Sequence, residues 1–181
     1  AALIARRKTN TLILVHSKAL LMQWHERLSE FLDIDFTEEE ISKKRGRKKA
    51  FSPVGCLDST SNTLHSVIDI ALMQSCFEND EVKPFVKGYG MVIVDECHHV
   101  SSITFENVLK HVTAHYVYGL TATPIRKDGL QPIIFVQCGP IRFSVDAKAQ
   151  IQKQSFQRYL VPRFTSYRPV TDDKQSFTAL S

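Results

Sequence analysis

Short, mainly apolar runs recur along the chain, at residues 11–16, 67–71, 90–94 and 115–121. Runs of this length are typical of strands that helices cover on both faces of a sheet. Polar or glycine-containing segments separate the runs, so we interpret each run as one buried strand. The pattern therefore predicts a parallel sheet that lies between layers of helices.

Apolar residues at helical spacing predict a long helix directly after the first strand. Ser17 is a good N-cap for this helix. Its apolar face is formed by Leu20, Leu21, Trp24, Leu28, Phe31 and Leu32. We expect Trp24 and the leucine stripe to belong to the core, and His25 to lie at the surface.

The other segments predict shorter elements. Residues 1–10 are typical of the end of a helix that Asn10 closes. Residues 101–110 predict a helix with Ile103, Val108 and Leu109 facing inward. Residues 36–66 predict an irregular excursion with a short strand near Val54, and residues 72–77 a helical turn that carries Gln74. A short helix after Gly129 and a strand at residues 141–145 complete an α/β fold, a three-layer, mostly parallel sheet.

Two adjacent carboxylates, Asp95 and Glu96, follow the strand at residues 90–94. In open α/β sheets, ligands bind at the carboxyl ends of the strands, which is where these side chains arrive. Such a pair is also common at a solvated strand end or in the first turn of a helix. Ser17-Lys18 and Thr121-Ala122-Thr123 end two other predicted strands, so three strand ends bring polar groups to one edge.

Composition limits the class of protein. With 181 residues and 43% hydrophobic content, the chain suits one globular domain with an extension. No apolar run approaches the roughly 20 residues of a membrane span, and the N-terminus does not have the pattern of a secretory signal. Four cysteines without paired spacing indicate a reducing compartment. We therefore expect a cytoplasmic protein, or a nuclear one in a eukaryote, with no membrane partner.

The net charge of +4 comes from one segment. Residues 43–49 contain six of the 23 basic residues, and without them 17 basic residues face 19 acidic ones. This basic run can meet phosphates, act as a nuclear address, or be a solvated loop.

Four segments resemble motifs of the first RecA-like domain of superfamily 2 helicases and DNA translocases. Val92-Ile93-Val94-Asp95-Glu96-Cys97-His98 is similar to the Walker B motif of that family in its DECH form. Residues 119–124, followed by Arg126 and Asp128-Gly129, are similar to motif III as DNA-directed members carry it. Residues 14–24 resemble motif Ia, and residues 70–75 resemble the next nucleic-acid-contacting motif.

The resemblance implies a role for each matching residue. Asp95 would hold the Mg²⁺ of ATP through water, and Glu96 would polarise the water that attacks the γ-phosphate. His98 would connect this catalytic site to motif III, where Thr121 and Thr123 sense the nucleotide. Ser17, Lys18 and Gln74 would contact the phosphates of DNA, with RNA the less favoured partner. A zinc site at residues 97–99 is the alternative, but three adjacent residues do not readily supply three tetrahedral ligands.

The sequence departs from the family at its phosphate-binding loop. No Gly-x-x-x-x-Gly-Lys segment ending in Ser or Thr occurs in the 181 residues. We therefore expect residues 1–145 to be a partial RecA-like P-loop NTPase domain without its first strand and P-loop. Residues 146–181 are then a linker toward a second RecA-like domain.

These 181 residues alone are expected to turn over no ATP, because the groups that position its phosphates are absent. Three other interpretations stay open. The chain is a non-catalytic nucleic-acid-binding fragment, the motor subunit of a restriction enzyme, or a sheet opened at its middle that needs a strand from elsewhere.

Overall fold

The structure is a computed structural model, and it describes residues 1–33, 52–98, 103–122 and 131–145. In chain order its helices and parallel strands are α1 (Ala2–Arg7), β1 (Thr11–Val15), α2 (Lys18–Phe31), β2 (Gly55–Leu57) and β3 (Ile68–Leu72). A small hairpin follows, formed by β4 (Phe77–Glu78) and β5 (Glu81–Val82). Two 3-10 helices span Met73–Cys76, where the helical turn with Gln74 was predicted, and Pro84–Gly88. The remaining elements are β6 (Met91–Val94), α3 (Ile103–His111), β7 (Tyr116–Gly119) and α4 (Gln131–Cys138).

Five strands form one parallel sheet in the order β2-β3-β1-β6-β7. The central strand β1 pairs with β3 on one side and β6 on the other, so that Leu14 lies between Ala71 and Val94. These five strands pair without a gap, and the interpretation that the sheet needs a further strand from elsewhere stays a prediction. At one edge, β7 is only half-buried along its length.

Helices cover both faces of the sheet and produce two cores. All five residues of β1 are buried, and alternate residues face opposite sides. Leu12 and Leu14 lie in the core that contains the inward side chains of α3 and α4. Ile13 and Val15 lie in the core that contains Ile4 of α1 and the α2 residues Leu21 and Leu28. The predicted three-layer α/β fold is therefore confirmed.

Three details of the helices differ from prediction. Helix α1 ends at Lys8, which has left-handed backbone angles, rather than at Asn10. Phe31, the last residue of α2, was expected on the apolar face but is 61% exposed. Ile103 is 77% exposed, since the buried face of α3 is formed by Phe105, Val108 and Leu109. Ile103 precedes Phe105 by two positions, which places it on the other side of a helix.

The turn at residues 78–81 closes the small hairpin, and Asn79 and Asp80 both have positive φ, as the tightest hairpin turns require. One predicted strand is not formed. Residues 141–145 form no strand.

Several predicted features lie outside the described residues. They are the basic run at residues 43–49, the helix cap Ser101-Ser102, Thr123, His99, Arg126, Asp128-Gly129 and residues 146–181. In the described part of the chain, no helix combines the length and the apolar character needed to span a membrane.

Candidate functional site

The carboxyl ends of the parallel strands bring the candidate residues to one edge of the sheet. Ser17 and Lys18 follow β1, Gln74 follows β3, and Asp95-Glu96 follow β6. Thr121 comes two residues after β7. Hydrogen bonds extend the pairing of the strands into this edge, from Asp95 N to Leu14 O at 3.0 Å and from Cys97 N to Leu120 O at 2.9 Å. The turn after β6 is therefore fixed from both sides.

The Asp95 carboxylate accepts one hydrogen bond on each oxygen. Trp24 Nε1 donates to Oδ2 at 2.7 Å, and the backbone N–H of Glu96 donates to Oδ1 at 3.0 Å. Trp24 lies on α2, 71 positions before Asp95. Its ring packs against the core as predicted. The helical pattern did not indicate that its N–H would donate a hydrogen bond to Asp95. The available signal was the single N–H donor of indole, which needs an acceptor when the ring is buried.

Glu96 has an unusual backbone and an unsatisfied side-chain oxygen. Its φ is +49°, in the left-handed region that costs a non-glycine residue about 1 kcal/mol or more. Its Oε2 atom is buried and makes no hydrogen bond. That oxygen lies 3.2 Å from His98 Nδ1, a distance suited to an ion pair but without hydrogen-bond geometry. Strained and unsatisfied groups of this kind cluster at functional sites.

His98 connects the ends of β6 and β7. Its Nδ1 atom lies 2.9 Å from the Thr121 hydroxyl oxygen, and the hydrogen-bond direction depends on the imidazole tautomer. His98 and Thr121, which were expected to be connected, are therefore in contact. The same nitrogen, His98 Nδ1, contacts both the Glu96 carboxylate and the Thr121 hydroxyl. A movement of either group can therefore displace the imidazole and affect the other group.

The donor set at this edge suits a hard divalent cation that brings other ligands with it. Mg²⁺ in nucleotide sites takes one or two protein carboxylates and completes its octahedron with phosphate oxygens and water. Asp95 and Glu96 supply such a pair, and the buried Glu96 Oε2 has acceptor capacity left. Within the described residues, no group of three or more His, Cys, Asp or Glu side chains is placed to hold a metal ion.

The three residues predicted to contact nucleic acid lie together beside this carboxylate site. Ser17 Oγ accepts from Leu20 N at 3.3 Å and caps α2, as its position predicted. Gln74 is exposed, and its Nε2 donates to His16 O at 3.5 Å, which places it next to Ser17. Lys18 has an exposed side chain whose Nζ lies 3.1 Å from Asp58 Oδ2.

Asp58 was not predicted to belong to the site. It follows β2, and its Oδ1 accepts from the Thr60 N–H and hydroxyl and from the Ser61 N–H. The Thr60 hydrogen bonds, together with the Lys18 ammonium, hold the pKa of Asp58 well below its usual range. Asp58 is therefore an ionised partner for Lys18.

Two thiols pack behind the carboxylate turn. Cys97 follows Glu96 directly and is buried, and a hydrogen bond between its thiol and that of Cys138 raises the pKa of Cys138 above its usual range. Gly119 of β7 lies against both, since a Cβ there would come within 2.8 Å of Cys97 Sγ. The small residue allows β7 to pack this closely on the turn.

A second buried carboxylate, Asp69, lies near the amino ends of the strands, where it has a structural role. Its oxygens accept from the backbone N–H groups of His65 and Ser66 and from the Tyr89 hydroxyl, the last at 2.6 Å. Burial and this hydrogen bond raise the pKa of Tyr89 above its usual range. Asp69 is fully buried and satisfied by its neighbours, in contrast to Glu96 at the other edge.

Comparison with known proteins identifies relatives over most of the chain. A family model described as type III restriction enzyme, res subunit, matches residues 1–126. The putative helicase 109L of Invertebrate iridescent virus 3 is 30% identical over 148 residues, which are 81% of this chain and 42% of that protein. The DNA 3'-5' helicase XPB of Kineococcus radiotolerans is 28% identical over 156 residues, 86% of this chain and 26% of that protein.

The fold has a counterpart among solved structures. The helicase domain of Hef from Pyrococcus furiosus superimposes with a TM-score of 0.53 at 17% identity, covering 76% of this chain and 29% of that one. At this identity the likeness concerns the fold, and it confirms the predicted RecA-like architecture. The chain spans less than half the length of the two relatives named above.

Proposed function

The chain belongs to the type III restriction enzyme res subunit family, and on this basis we propose that it is part of a longer, ATP-dependent motor that acts on DNA. In this proposal the chain is a partial first RecA-like domain of a superfamily 2 helicase or translocase of the DExH group. A second RecA-like domain completes the motor, which works in the cytoplasm, or in the nucleus if the source is a eukaryote. DNA is preferred to RNA as the partner because relatives are named DNA helicases and translocases.

One observation carries the proposal. The turn after β6 places Asp95, Glu96 and His98 together, and His98 Nδ1 lies 2.9 Å from the Thr121 hydroxyl of the neighbouring strand end. A carboxylate pair with an unsatisfied buried oxygen is suited to a metal–nucleotide complex and an attacking water. A purely structural pair would be satisfied by its neighbours, as Asp69 is.

The roles follow from the position of each group. Asp95, with its orientation fixed from both oxygens, would hold Mg²⁺ through water. Glu96 would orient the attacking water and take its proton, because its buried Oε2 accepts no hydrogen bond. Bound Mg²⁺ would neutralise charge on the phosphates during transfer. Thr121 and Thr123 would sense the nucleotide, and His98 would relay its state.

The DNA side of the motor would be the cluster of Ser17, Lys18 and Gln74. Their hydroxyl, ammonium and amide groups suit phosphate oxygens, which are contacted without regard to sequence. The basic run at residues 43–49 would add to this electrostatic attraction. Each phosphate that the protein neutralises contributes about −0.9 to the slope of log affinity against log salt concentration.

A second candidate function is DNA binding without catalysis. It is favoured by the absence of a Gly-x-x-x-x-Gly-Lys segment from the 181 residues. The distinguishing experiment measures ATP hydrolysis by the full-length protein with Mg²⁺ or with a chelator, in the presence and absence of duplex DNA. Hydrolysis that needs Mg²⁺ and is stimulated by DNA supports the motor. DNA binding without any hydrolysis would support the second candidate and contradict the first.

A further inference from the structure

The hydrogen bond between Trp24 and Asp95 joins two parts of the proposed motor that have separate tasks. Trp24 Nε1 lies 2.7 Å from Asp95 Oδ2, and this is the sole tryptophan in the chain. Trp24 belongs to α2, the helix whose first turn carries Ser17 and Lys18. Asp95 lies at the end of β6. A donor on the helix with the DNA contacts therefore holds the carboxylate that faces the nucleotide.

The indole is itself held firmly. Trp24 is half-buried, and its ring packs against the core on the α2 side of the sheet. Leu21 and Leu28, one turn before and one turn after it, are buried in the same core. The side chain has one donor and no acceptor, so it can serve the carboxylate in one way only. A rigid ring with a single donor is well suited to fixing the direction of a carboxylate.

Asp95 depends on this contact for its orientation. Its other oxygen accepts only from the adjacent backbone N–H of Glu96, at 3.0 Å. The hydrogen bond from Glu96 lies within the turn, so it does not connect the Asp95 carboxylate to another element of the fold. Within the described residues, Trp24 is the one hydrogen-bond partner of the Asp95 side chain that comes from a different element.

We propose that Trp24 is a positioning residue for Asp95, and that it fixes this carboxylate from the helix that carries the DNA contacts. The inference rests on the proposed function, because it assumes that Asp95 serves the metal–nucleotide complex. Partners that orient the ligands of a metal typically change metal affinity or activity about 10- to 100-fold when they are removed.

The contact itself is tested without nucleotide. In full-length protein labelled with ¹⁵N at tryptophan, the indole signal of Trp24 is identified by its loss in Trp24→Phe. In Asp95→Ala, we expect this signal to move upfield and its proton to exchange faster with solvent, because the acceptor is gone. An indole signal with the same position and exchange rate in both proteins would overturn the inference.

The positioning role is tested with a matched pair of variants. Trp24→Phe removes the donor to Asp95, and Tyr89→Phe removes the donor to the structural carboxylate Asp69. We expect Trp24→Phe to raise the Mg²⁺ concentration needed for half-maximal ATP hydrolysis by about tenfold. Tyr89→Phe is expected to lower the melting temperature and to leave this Mg²⁺ dependence unchanged. The same Mg²⁺ dependence in both variants would overturn the inference.

Asp95→Asn separates this inference from the proposed function. If Asp95→Asn hydrolyses ATP at the wild-type rate, the proposed function fails and the inference fails with it. If Asp95→Asn is inactive while Trp24→Phe keeps the wild-type Mg²⁺ dependence, the inference alone fails.

Discussion

Lys18 Nζ lies 3.1 Å from Asp58 Oδ2, so the cation proposed to contact DNA already has an anionic partner in the protein. The two residues extend from β1 and β2, which are not adjacent in the sheet because β3 lies between them. Asp58 is held in place by Thr60 and Ser61, whereas the Lys18 side chain is 59% exposed. A phosphate at this edge would therefore compete with Asp58 for Lys18.

Replacing Asp58 with Asn should strengthen DNA binding. The change frees Lys18 and removes a negative charge near the proposed phosphate path. We expect the affinity to rise by up to about fivefold, because an exposed ion pair is weak. Fluorescence anisotropy with a labelled duplex at several salt concentrations measures this effect.

Lys18→Ala provides the matching comparison. It should weaken binding and make the salt slope shallower by about 0.9, the contribution of one neutralised phosphate. Equal affinities and equal slopes in Lys18→Ala and the wild-type protein would remove Lys18 from the DNA interface.

The backbone of Glu96 should lower the stability of the protein. Its φ of +49° favours glycine, so Glu96→Gly should be more stable than Glu96→Ala by about 1 kcal/mol. Both variants lack the carboxylate, so their difference isolates the backbone. Chemical denaturation of the two variants gives this difference. A more stable alanine variant would show that the turn after β6 does not impose the left-handed conformation.

Asp69 and Asp95 should respond differently to replacement by asparagine. The carboxylate of Asp69 accepts hydrogen bonds from three groups at a fully buried position. In Asp69→Asn, an NH₂ group that can only donate replaces one of its two acceptor oxygens. We expect it to lower the free energy of unfolding by about 1–3 kcal/mol for each group left unsatisfied. Asp95→Asn should cost less than about 1 kcal/mol, since Asp95 is half-buried and its Asn oxygen can still accept. Urea unfolding of the two variants measures these losses of unfolding free energy. Equal losses in the two variants would show that Asp95 has a structural role.

The sequence predicted the sheet because its long strands are mainly apolar runs. Residues 11–15 and 91–94 have such runs, and both became fully buried strands. The position of Asp95 and Glu96 followed from the same pattern, since parallel strands end at one edge. The faces of the helices were harder to predict. Ile103 was predicted to face inward because it is hydrophobic, but its position on α3 leaves it exposed.

The long-range contacts of the site could not be predicted from local patterns. Trp24 and Asp95 are 71 positions apart, and a helical stripe gives no information about where one N–H points. Asp58 lay in a segment without periodicity, so nothing indicated that it would face Lys18. The hairpin at Asn79 and Asp80 had a recognisable turn signal, but its strands are only two residues long.

The most direct test of the proposed motor is ATP hydrolysis by the full-length protein with Glu96→Gln, measured with Mg²⁺ and saturating duplex DNA. Glu106→Gln is the control, because the Glu106 carboxylate forms an ion pair with Lys110 within α3. We expect Glu96→Gln to bind ATP and DNA as the wild-type protein does and to lose turnover by about 100- to 10,000-fold, the range for a general base. Glu106→Gln should keep the wild-type rate. Wild-type turnover in Glu96→Gln would contradict the assignment of this carboxylate site to ATP hydrolysis.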